Sequence, residues 1–223
     1  MYFYIPNLKQ NKVHFPDSAH LISMRVQVDS SCQVTDLKGN QATIKVTYID
    51  KKTKSIEFEI IEQKEEFDYL NKTLFQAIPD KVYLEKLVET LPLVKVKTCY
   101  LFWSDRSVEY TINWDRLNGI LTRSCEQSQS CYKPKFEVIK NKQELNKVLE
   151  QKKPLVLECK NMATVQFEVA KKAITKDQKS VLVGPEGGWS NKEIQLFKDT
   201  KLEFVHLGEL ILPSWLAGCI ILS

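Results

Sequence analysis

The residues best placed to do chemistry lie in one run, SVLVGPEGGWSNKEI, at positions 180–194. An apolar segment leads into a glycine-rich turn, and Ser190 then has the position of a helix N-cap. This layout would place a ligand at the carboxyl end of a parallel strand, where glycines leave backbone N–H groups accessible. The run lacks the Gly-Lys-Ser/Thr of a P-loop and the GxGxxG spacing of a dinucleotide site. A plain glycine-rich turn is the alternative interpretation.

The distribution of glycine supports a backbone requirement in this part of the chain. The 223 residues include only 7 glycines, about half the usual share. Five of the seven fall in the last forty residues, at Gly184, Gly187, Gly188, Gly208 and Gly218. Because each glycine costs conformational entropy on folding, we expect these positions to require a residue that has no side chain.

From about residue 72 the sequence alternates between strand-like and helical segments, which predicts a parallel sheet covered by helices. The predicted strands are Thr73–Ile78, Val94–Trp103, Pro154–Leu157, Ser180–Val183 and Leu202–Val205. The predicted helices are a stretch opened by Pro79-Asp80, then Asn113–Ser130, Ala163–Ala173, Asn191–Lys198 and Pro213–Leu222.

The first 65 residues follow a different pattern, with apolar residues at every second position. Ala42, Ile44, Val46 and Tyr48 alternate with polar residues, as do Ile56, Phe58 and Ile60. This period predicts half-buried strands in a small antiparallel barrel or sandwich, with a hairpin connection at Asp50–Lys54. The charged segment Gln63–Asp68 is predicted to be a linker.

Composition and charge exclude several classes of protein. With 43% hydrophobic and 27% charged residues, the chain is neither disordered nor collagen-like. The start of the chain lacks the pattern of a secretory signal, and its longest uncharged run, Leu210–Ser223, is shorter than a membrane span needs. The six cysteines form no CxxC pair, so we expect buried free thiols in a cytoplasmic protein without a metal site.

The net charge of +4 originates in the middle of the chain, where residues 71–160 carry 16 lysines and arginines against 11 acidic residues. Arg106, Arg116 and Arg123 lie there, and arginine is a good phosphate and base ligand. A solvated basic face and RNA contact both explain this excess, and the arginines could instead pair with Asp105, Asp115 or Glu126.

The run at 184–194 resembles the GPEGG-[FLW]-[ST]-x-x-E-[IL] signature of the RsmE-type bacterial small-subunit (16S) rRNA uridine-N3 methyltransferases. That family belongs to the knotted SPOUT class and uses S-adenosylmethionine. Four further segments resemble the family in the same order: His20-Leu21 with Met24-Arg25, Ser104-Asp105-Arg106-Ser107, Arg116 with Cys125-Glu126-Gln127-Ser128 and Pro134, and Leu207-Gly208-x-x-Ile211-Leu212.

The resemblance implies a PUA-like β-barrel over residues 1–66 and an α/β SPOUT methyltransferase domain with a trefoil knot over residues 72–223. It also implies a homodimer that acts on the RNA of the small ribosomal subunit. The implied cofactor-binding residues are Gly184, Glu186, Gly187, Gly188, Leu207, Gly208, Ile211 and Leu212. The candidate RNA-binding residues are Arg25, Arg106, Arg116 and Arg123. No catalytic side chain is assigned.

The C-terminal motif departs from the family pattern. Where the family continues RILRTET-A, this chain has Leu210-Ile211-Leu212-Pro213-Ser214-Trp215-Leu216-Ala217. The groups that could orient the base or remove the N3 proton are therefore missing. Either positioning and backbone binding still support methyl transfer, or the protein is a degenerate member of the family that still binds cofactor or RNA without turnover, as an RNA-binding or ribosome-assembly protein. We favour the enzyme, because the cofactor glycines remain.

Individual side chains near the motif have two possible roles. Glu186 could stabilise its loop or contact the ligand, and the first is favoured. Trp189 and Trp215 could stack on a base, but large aromatic side chains more often lie in a core. His206 is expected to be a buried histidine with a hydrogen-bonding partner rather than a base.

Overall fold

The computed structural model describes residues 2–14, 18–65, 71–158, 165–166, 180–207 and 212–223, with only the backbone given for 19 and 165–166. The chain divides into two compact units. The first contains Met1–Tyr69 and Leu121–Lys133, and the second contains Leu70–Ile120 and Pro134–Ser223. Residues 121–133 are distant in sequence from the rest of the first unit, so the chain enters that unit twice.

The described residues of the first unit form a five-stranded sheet. Its elements are β1 (Phe3–Tyr4), β2 (Lys12–His14), α1 (Ala19–Ser23), β3 (Ser31–Thr35), β4 (Asn40–Asp50) and β5 (Ser55–Glu65). The strand order is β1-β3-β4-β5-β2. The expectation of antiparallel pairing is confirmed for β3, β4, β5 and β2, whereas β1 pairs with β3 in parallel. The sheet is therefore mixed.

The predicted alternation is confirmed along most of β4 and β5 and fails at two residues. Ile44 and Val46 are buried, but Tyr48 is exposed. A β-bulge between Val46 and Tyr48 shifts the register, so that Ile49 rather than Tyr48 pairs with the buried Ile56. Ile60 is also exposed. The hairpin at residues 51–54 is confirmed, but Gln63–Glu65 continue β5 instead of starting a linker. Residues 66–68 of that linker lie outside the described residues.

The second unit contains a parallel sheet with helices, as the alternating pattern predicts. Its elements are β6 (Lys72–Ala77), α2 (Lys81–Thr90), β7 (Val96–Phe102), α3 (Trp114–Ser128), β8 (Lys135–Ile139), α4 (Lys142–Lys152), β9 (Leu155–Leu157), β10 (Val165–Gln166), β11 (Ser180–Val183), α5 (Asn191–Asp199), β12 (Phe204–His206) and α6 (Ser214–Leu222). The second half of α3 belongs to the first unit. Among the described strands the order is β10-β12-β9-β11-β6-β7-β8, and every pair is parallel.

Three features of this unit differ from the sequence-based expectation. The helix predicted over Ala163–Ala173 is wrong at Val165–Gln166, which form β10 beside β12; the rest of it lies outside the described residues. Pairing with an open sheet edge outweighs local helix preference there. The sequence patterns also missed β8 and α4. An N-cap at Asn141, whose Oδ1 accepts from the Glu144 N–H at 2.9 Å, was the available signal for α4.

Helix α6 packs closely on the centre of the sheet. Its residues Cys219, Ile221 and Leu222 are buried, and the Lys72 ammonium donates to the Leu222 carbonyl at the end of the helix. Gly218 faces β6 and β11. A Cβ on Gly218 would lie 2.6 Å from Leu74 Cδ1 and 2.9 Å from Val183 Cγ2. This position requires glycine because the helix could not otherwise approach the sheet so closely.

Five of the six cysteines lie within the described residues. Cys32, Cys99, Cys125, Cys131 and Cys219 are free thiols, and burial raises the pKa of Cys125 and of Cys219 to about 12. Cys159 lies outside the described residues.

Within the described ranges, no helix is long and apolar enough to cross a membrane, and no group of His, Cys, Asp and Glu could hold a metal ion.

Candidate functional site

The glycine-rich loop joins β11 to α5, as its sequence predicts. Ser190 is the N-cap of α5 and forms a capping box with Glu193. The Ser190 hydroxyl accepts from the Glu193 N–H at 3.2 Å, and Glu193 Oε2 accepts from the Ser190 N–H at 2.8 Å. These two bonds satisfy N–H groups that the first turn of a helix leaves without partners. The loop is therefore followed by a helix with a well-defined start.

A second segment with chemistry-bearing residues, Ser104–Ser107, contacts the start of α5. It follows β7, whose carboxyl end lies at the same edge of the parallel sheet as that of β11. The Ser104 hydroxyl and the Asp105 N–H both donate to Glu193 Oε1, at 2.7 and 3.1 Å. Glu193 is buried. One carboxylate thus joins two motifs that lie some eighty residues apart in the sequence.

Asp105 adds a second connection between these motifs. Its carboxylate accepts from Lys142 Nζ at 2.6 Å and from the Ser190 hydroxyl at 2.7 Å. The hydrogen bond from Lys142, followed by that from Ser190, lowers the pKa of Asp105 below its usual value. The group is therefore an ionised structural acceptor at neutral pH.

Arg106 contacts the glycine-rich loop directly. Its Nη1 donates to the Gly187 carbonyl at 2.8 Å. The sequence predicts Arg106 as an RNA-binding residue, whereas in the structure its guanidinium binds the backbone of the candidate cofactor loop. The contact leaves part of the guanidinium on the protein surface, since the hydrogen bond is an exposed one.

Trp189 explains why residue 184 is a glycine. The indole is almost fully buried, donates from Nε1 to the Leu157 carbonyl at 3.1 Å, and packs against Phe197. A Cβ on Gly184 would lie 3.0 Å from Trp189 Cε2. Trp189 is therefore a core residue, and its indole packs closely against Gly184 whether or not a ligand binds.

The start of α6 also contacts Gly184. The Ser214 hydroxyl donates to the Gly184 carbonyl and accepts from Gln76 Nε2 at 2.9 Å. Gln76 lies near the end of β6 and is completely buried, yet its Oε1 has no hydrogen-bonding partner among the described residues. The sequence patterns did not single out Gln76, although a glutamine inside the apolar segment Thr73–Ile78 was a usable signal.

The remaining loop and strand-end candidates lie at the same edge of the sheet or outside the described residues. Glu186 is exposed, and its Oε2 accepts from the Asp80 N–H at 3.4 Å, a long bond that supports its loop-stabilising role. Leu207 follows β12 directly, and Leu212 precedes α6; both are half-buried. Gly208 and Ile211 lie outside the described residues. His206 is half-buried at the end of β12, rather than fully buried as expected.

The other candidate RNA ligands are separated between the two units. Arg116 pairs with Glu85, through Nε to Oε1 at 2.6 Å and Nη2 to Oε2 at 2.8 Å, and not with any of the three expected acids. This ion pair raises the pKa of Arg116 and lowers that of Glu85. Arg25 and Arg123 are exposed in the first unit.

Trp215 is half-buried at the start of α6. Lys86 Nζ lies 5.8 Å from the centre of its ring and 5.4 Å from that of Tyr83. These distances are within the range of cation–π contacts. Trp215 therefore belongs to a contact between α2 and α6 and is not a fully buried core residue.

Two residues from weaker sequence motifs meet inside the first unit. His20 Nδ1 lies 2.9 Å from Glu126 Oε2, and Glu126 Oε1 accepts from the Tyr4 N–H at 2.9 Å. Glu126 is buried. Its carboxylate therefore connects residues 121–133 to the N-terminal part of this unit, which gives the Glu-Gln-Ser segment a structural role.

Comparison with solved structures gives several matches to the whole fold. One is the ribosomal RNA small subunit methyltransferase E of Neisseria gonorrhoeae bound to S-adenosylmethionine. It is 22% identical with a TM-score of 0.81, over 99% of this chain and 94% of that one. Another is a Legionella pneumophila protein with S-adenosylmethionine bound, at 17% identity, TM-score 0.81 and the same coverage. At these identities the matches show a shared fold.

Comparison of the sequence with family profiles gives the assignment. Among curated proteins, none matches the sequence significantly. The profile of the RNA methyltransferase domain matches residues 65–223, which include β6 to α6, the glycine-rich loop and the Ser104–Ser107 segment. That range is well over half of the chain, and it contains the contacts of Asp105 with Glu193 and of Arg106 with Gly187. The chain belongs to the RNA methyltransferase domain family.

Proposed function

We propose that this protein transfers a methyl group from S-adenosylmethionine to N3 of a uridine in the RNA of the small ribosomal subunit. S-adenosylmethionine is the cofactor of the family. The observation that carries the proposal is the structure around Glu193, where the glycine-rich loop is held at the carboxyl edge of a parallel sheet. Ligands of open α/β sheets bind at that edge.

The residues present fit such a cofactor. Glu186 and Gly187 of the loop are exposed to solvent, and the buried Gln76 Oε1 is an acceptor without a partner among the described residues. The residues proposed to hold the cofactor are Gly184, Glu186, Gly187, Gly188, Leu207, Gly208, Ile211 and Leu212. When bound, the sulfonium supplies an activated methyl group.

The chain itself would contribute orientation more than acid–base chemistry. Arg106 and Glu193 hold the loop, and Ser214 holds the carbonyl of Gly184. Asp105 accepts from Lys142 and Ser190, and these bonds lower the pKa of its carboxyl, which makes it a poor acceptor of the N3 proton. Positioning of two reactants can by itself supply a large part of a rate enhancement.

The finer architecture of the family belongs to the same proposal. We infer a PUA-like barrel over residues 1–66 that contacts RNA, a methyltransferase domain over residues 72–223 with a trefoil knot, and a homodimer in the cytoplasm. Arg25 and Arg123, exposed in the first unit, are the proposed contacts to the RNA backbone. Arg116 would first have to leave Glu85, and Arg106 would have to share its guanidinium with the loop.

Methyl transfer to small ribosomal subunits tests the proposal. The purified protein and tritiated S-adenosylmethionine are incubated with subunits from a strain that lacks the uridine-N3 modification. We expect incorporation into the RNA and 3-methyluridine in its nucleoside digest. Cofactor binding by calorimetry without transfer would instead identify an RNA-binding protein without turnover, consistent with the departures at Pro213, Ser214, Trp215 and Leu216. Failure to bind the cofactor would contradict the proposal altogether.

A variant of Arg106 tests whether this side chain supports cofactor binding through the loop or acts only as a contact to RNA. Arg106→Ala removes the donor to the Gly187 carbonyl, so we expect the Kd for S-adenosylmethionine to rise about 3- to 10-fold without RNA present, the range for one partly exposed hydrogen bond. Calorimetry measures it. Lys147→Ala, which removes a positive charge from the exposed face of α4, should leave the Kd unchanged. If Arg106→Ala weakened only RNA binding, its contact with Gly187 would have no role in cofactor affinity.

A further inference from the structure

We propose that Gln76 is a cofactor-positioning residue whose side-chain carbonyl accepts a hydrogen bond from a donor group of the bound S-adenosylmethionine. The inference rests on the proposed function and adds to it a residue in β6, far in sequence from both cofactor motifs. Its starting point is the buried Oε1 atom of Gln76, which lacks a partner among the described residues.

The orientation of the amide is set by its neighbours. Gln76 Nε2 donates to the Ala77 carbonyl at 3.0 Å and to the Ser214 hydroxyl at 2.9 Å, and it lies 3.5 Å from the Gly184 carbonyl. Carbonyl oxygens only accept hydrogen bonds, so the opposite orientation of the amide would place oxygen against oxygen. Oε1 therefore points away from these three groups and is the atom left for another donor.

An acceptor in this state is unusual in a protein interior. Gln76 is 0% exposed, so water at the surface cannot solvate Oε1. Buried polar side-chain atoms nearly always have a partner, because leaving one unpaired costs free energy. Where an exception persists, a ligand or a buried water commonly supplies the missing donor.

The position of Gln76 in the sheet favours a ligand. Gln76 is paired in register with Val183, the last residue of β11, so it lies beside the start of the glycine-rich loop. From β6 the sheet continues through β7 and β8 on one side, while β11, β9, β12 and β10 lie on the other. The boundary between β6 and β11 is thus the point where the strand order changes direction. Open α/β sheets bind their ligands in the crevice at such a point.

The chemistry of the cofactor supplies suitable donors. S-adenosylmethionine carries ribose hydroxyls, an adenine amino group and an α-ammonium group, and a glutamine carbonyl can accept from any of them. A hydrogen bond made by a buried carbonyl adds to affinity and also sets the orientation of the group that donates it. Gln76 would accordingly act on the cofactor while its Nε2 holds Ser214, the first residue of α6.

Binding measurements on Gln76→Met test the inference. Methionine preserves the length of the side chain but removes Oε1 and Nε2. We expect the Kd for S-adenosylmethionine to rise about tenfold and the ligand-induced increase in Tm to fall. A residue with only a structural role would lower the Tm with and without ligand by equal amounts. As a control, Thr73→Val, which replaces a hydroxyl by a methyl group near the other end of β6, should leave the Kd at its wild-type value.

A truncated ligand identifies the donor, and the wild-type protein provides a second readout. Methylthioadenosine lacks the amino-acid part of the cofactor. If Gln76→Met also binds methylthioadenosine more weakly than the wild type does, the donor lies on the nucleoside. If the two proteins bind it equally well, the donor is the ammonium group. In the wild type, the carbon-13 resonance of the Gln76 side-chain carbonyl should move when S-adenosylmethionine is added, which requires no variant to fold.

The possible failures are distinguishable. If the wild type binds S-adenosylmethionine while Gln76→Met binds it equally well, or while the carbonyl resonance stays unmoved, the inference is overturned and the proposed function stands. A buried water would then be the partner of Oε1. If the wild type does not bind the cofactor, the inference and the proposed function fail together.

Discussion

Replacing Glu193 with alanine is expected to lower the free energy of unfolding by about 2–4 kcal/mol, because a buried carboxylate that serves several donors is removed. Glu193 accepts from the Ser104 hydroxyl and from the N–H groups of Asp105 and Ser190. Without it, two backbone N–H groups lose their partners, and the connection to the segment after β7 depends only on the bonds of Ser190 to Asp105 and of Arg106 to Gly187. Urea unfolding followed by tryptophan fluorescence measures the change, since Trp189 packs against Phe197 of α5.

Two further variants make this result specific. Gln195→Ala, on the exposed face of the same helix, should change the free energy of unfolding by less than about 0.5 kcal/mol. Glu193→Gln should be intermediate, because an amide oxygen can still accept from Ser104 and Asp105 while its NH₂ group opposes the Ser190 N–H. A Glu193→Ala protein as stable as the Gln195→Ala control would show that these hydrogen bonds contribute little to stability.

Gly218→Val is expected to destabilise the protein by about 3 kcal/mol or to prevent its folding, since overpacking of a full core is costly. Any Cβ at this position meets Leu74 Cδ1 at 2.6 Å and Val183 Cγ2 at 2.9 Å. Leu74 is fully buried in the sheet, and Val183 is nearly so. The helix would have to move away from the sheet, taking Ser214 away from Gly184. Thermal unfolding and cofactor calorimetry would record both consequences.

The change Gly218→Ala tests the sign of the effect on the free energy of unfolding. In an exposed helix this change would stabilise by about 1 kcal/mol, whereas here we expect destabilisation. The double variant Gly218→Ala/Leu74→Ala should be more stable than the sum of the single changes predicts, because the new methyl group enters the space that Leu74 vacates. Additive effects, or a stabilised Gly218→Ala protein, would show that α6 does not lie against Leu74.

The elements that the sequence predicted well are those specified by neighbouring residues. Helix α5 could be placed to within one residue because Ser190 and Glu193 have capping-box spacing and the apolar positions that follow face one side. Strands β6, β7 and β11 could be placed because short apolar segments bounded by turn residues are typical of a buried parallel sheet.

The predictions that failed depended on contacts between distant residues. A bulge between Val46 and Tyr48 turns Tyr48 outward, and no local pattern marks it. Val165–Gln166 join the sheet because β12 offers an open edge, which a helical period in the sequence does not reveal. The sequence does not show which group an arginine will bind: Arg106 donates to the Gly187 carbonyl, whereas Arg116 donates to the Glu85 carboxylate.

The sequence by itself determined the alternation of strands and helices along most of the second unit, the capped start of α5 and the resemblance from which the cofactor loop is proposed, since each depends on residues close together in the chain. Only the tertiary structure decided why the glycines are needed. Gly184 accommodates Trp189 and Gly218 accommodates Leu74 and Val183. It also placed Gln76, Gly184 and Ser214 together. The physical reason is that hydrogen bonds and close packing act over a few ångströms in space, and the sheet order decides which distant residues come within that range.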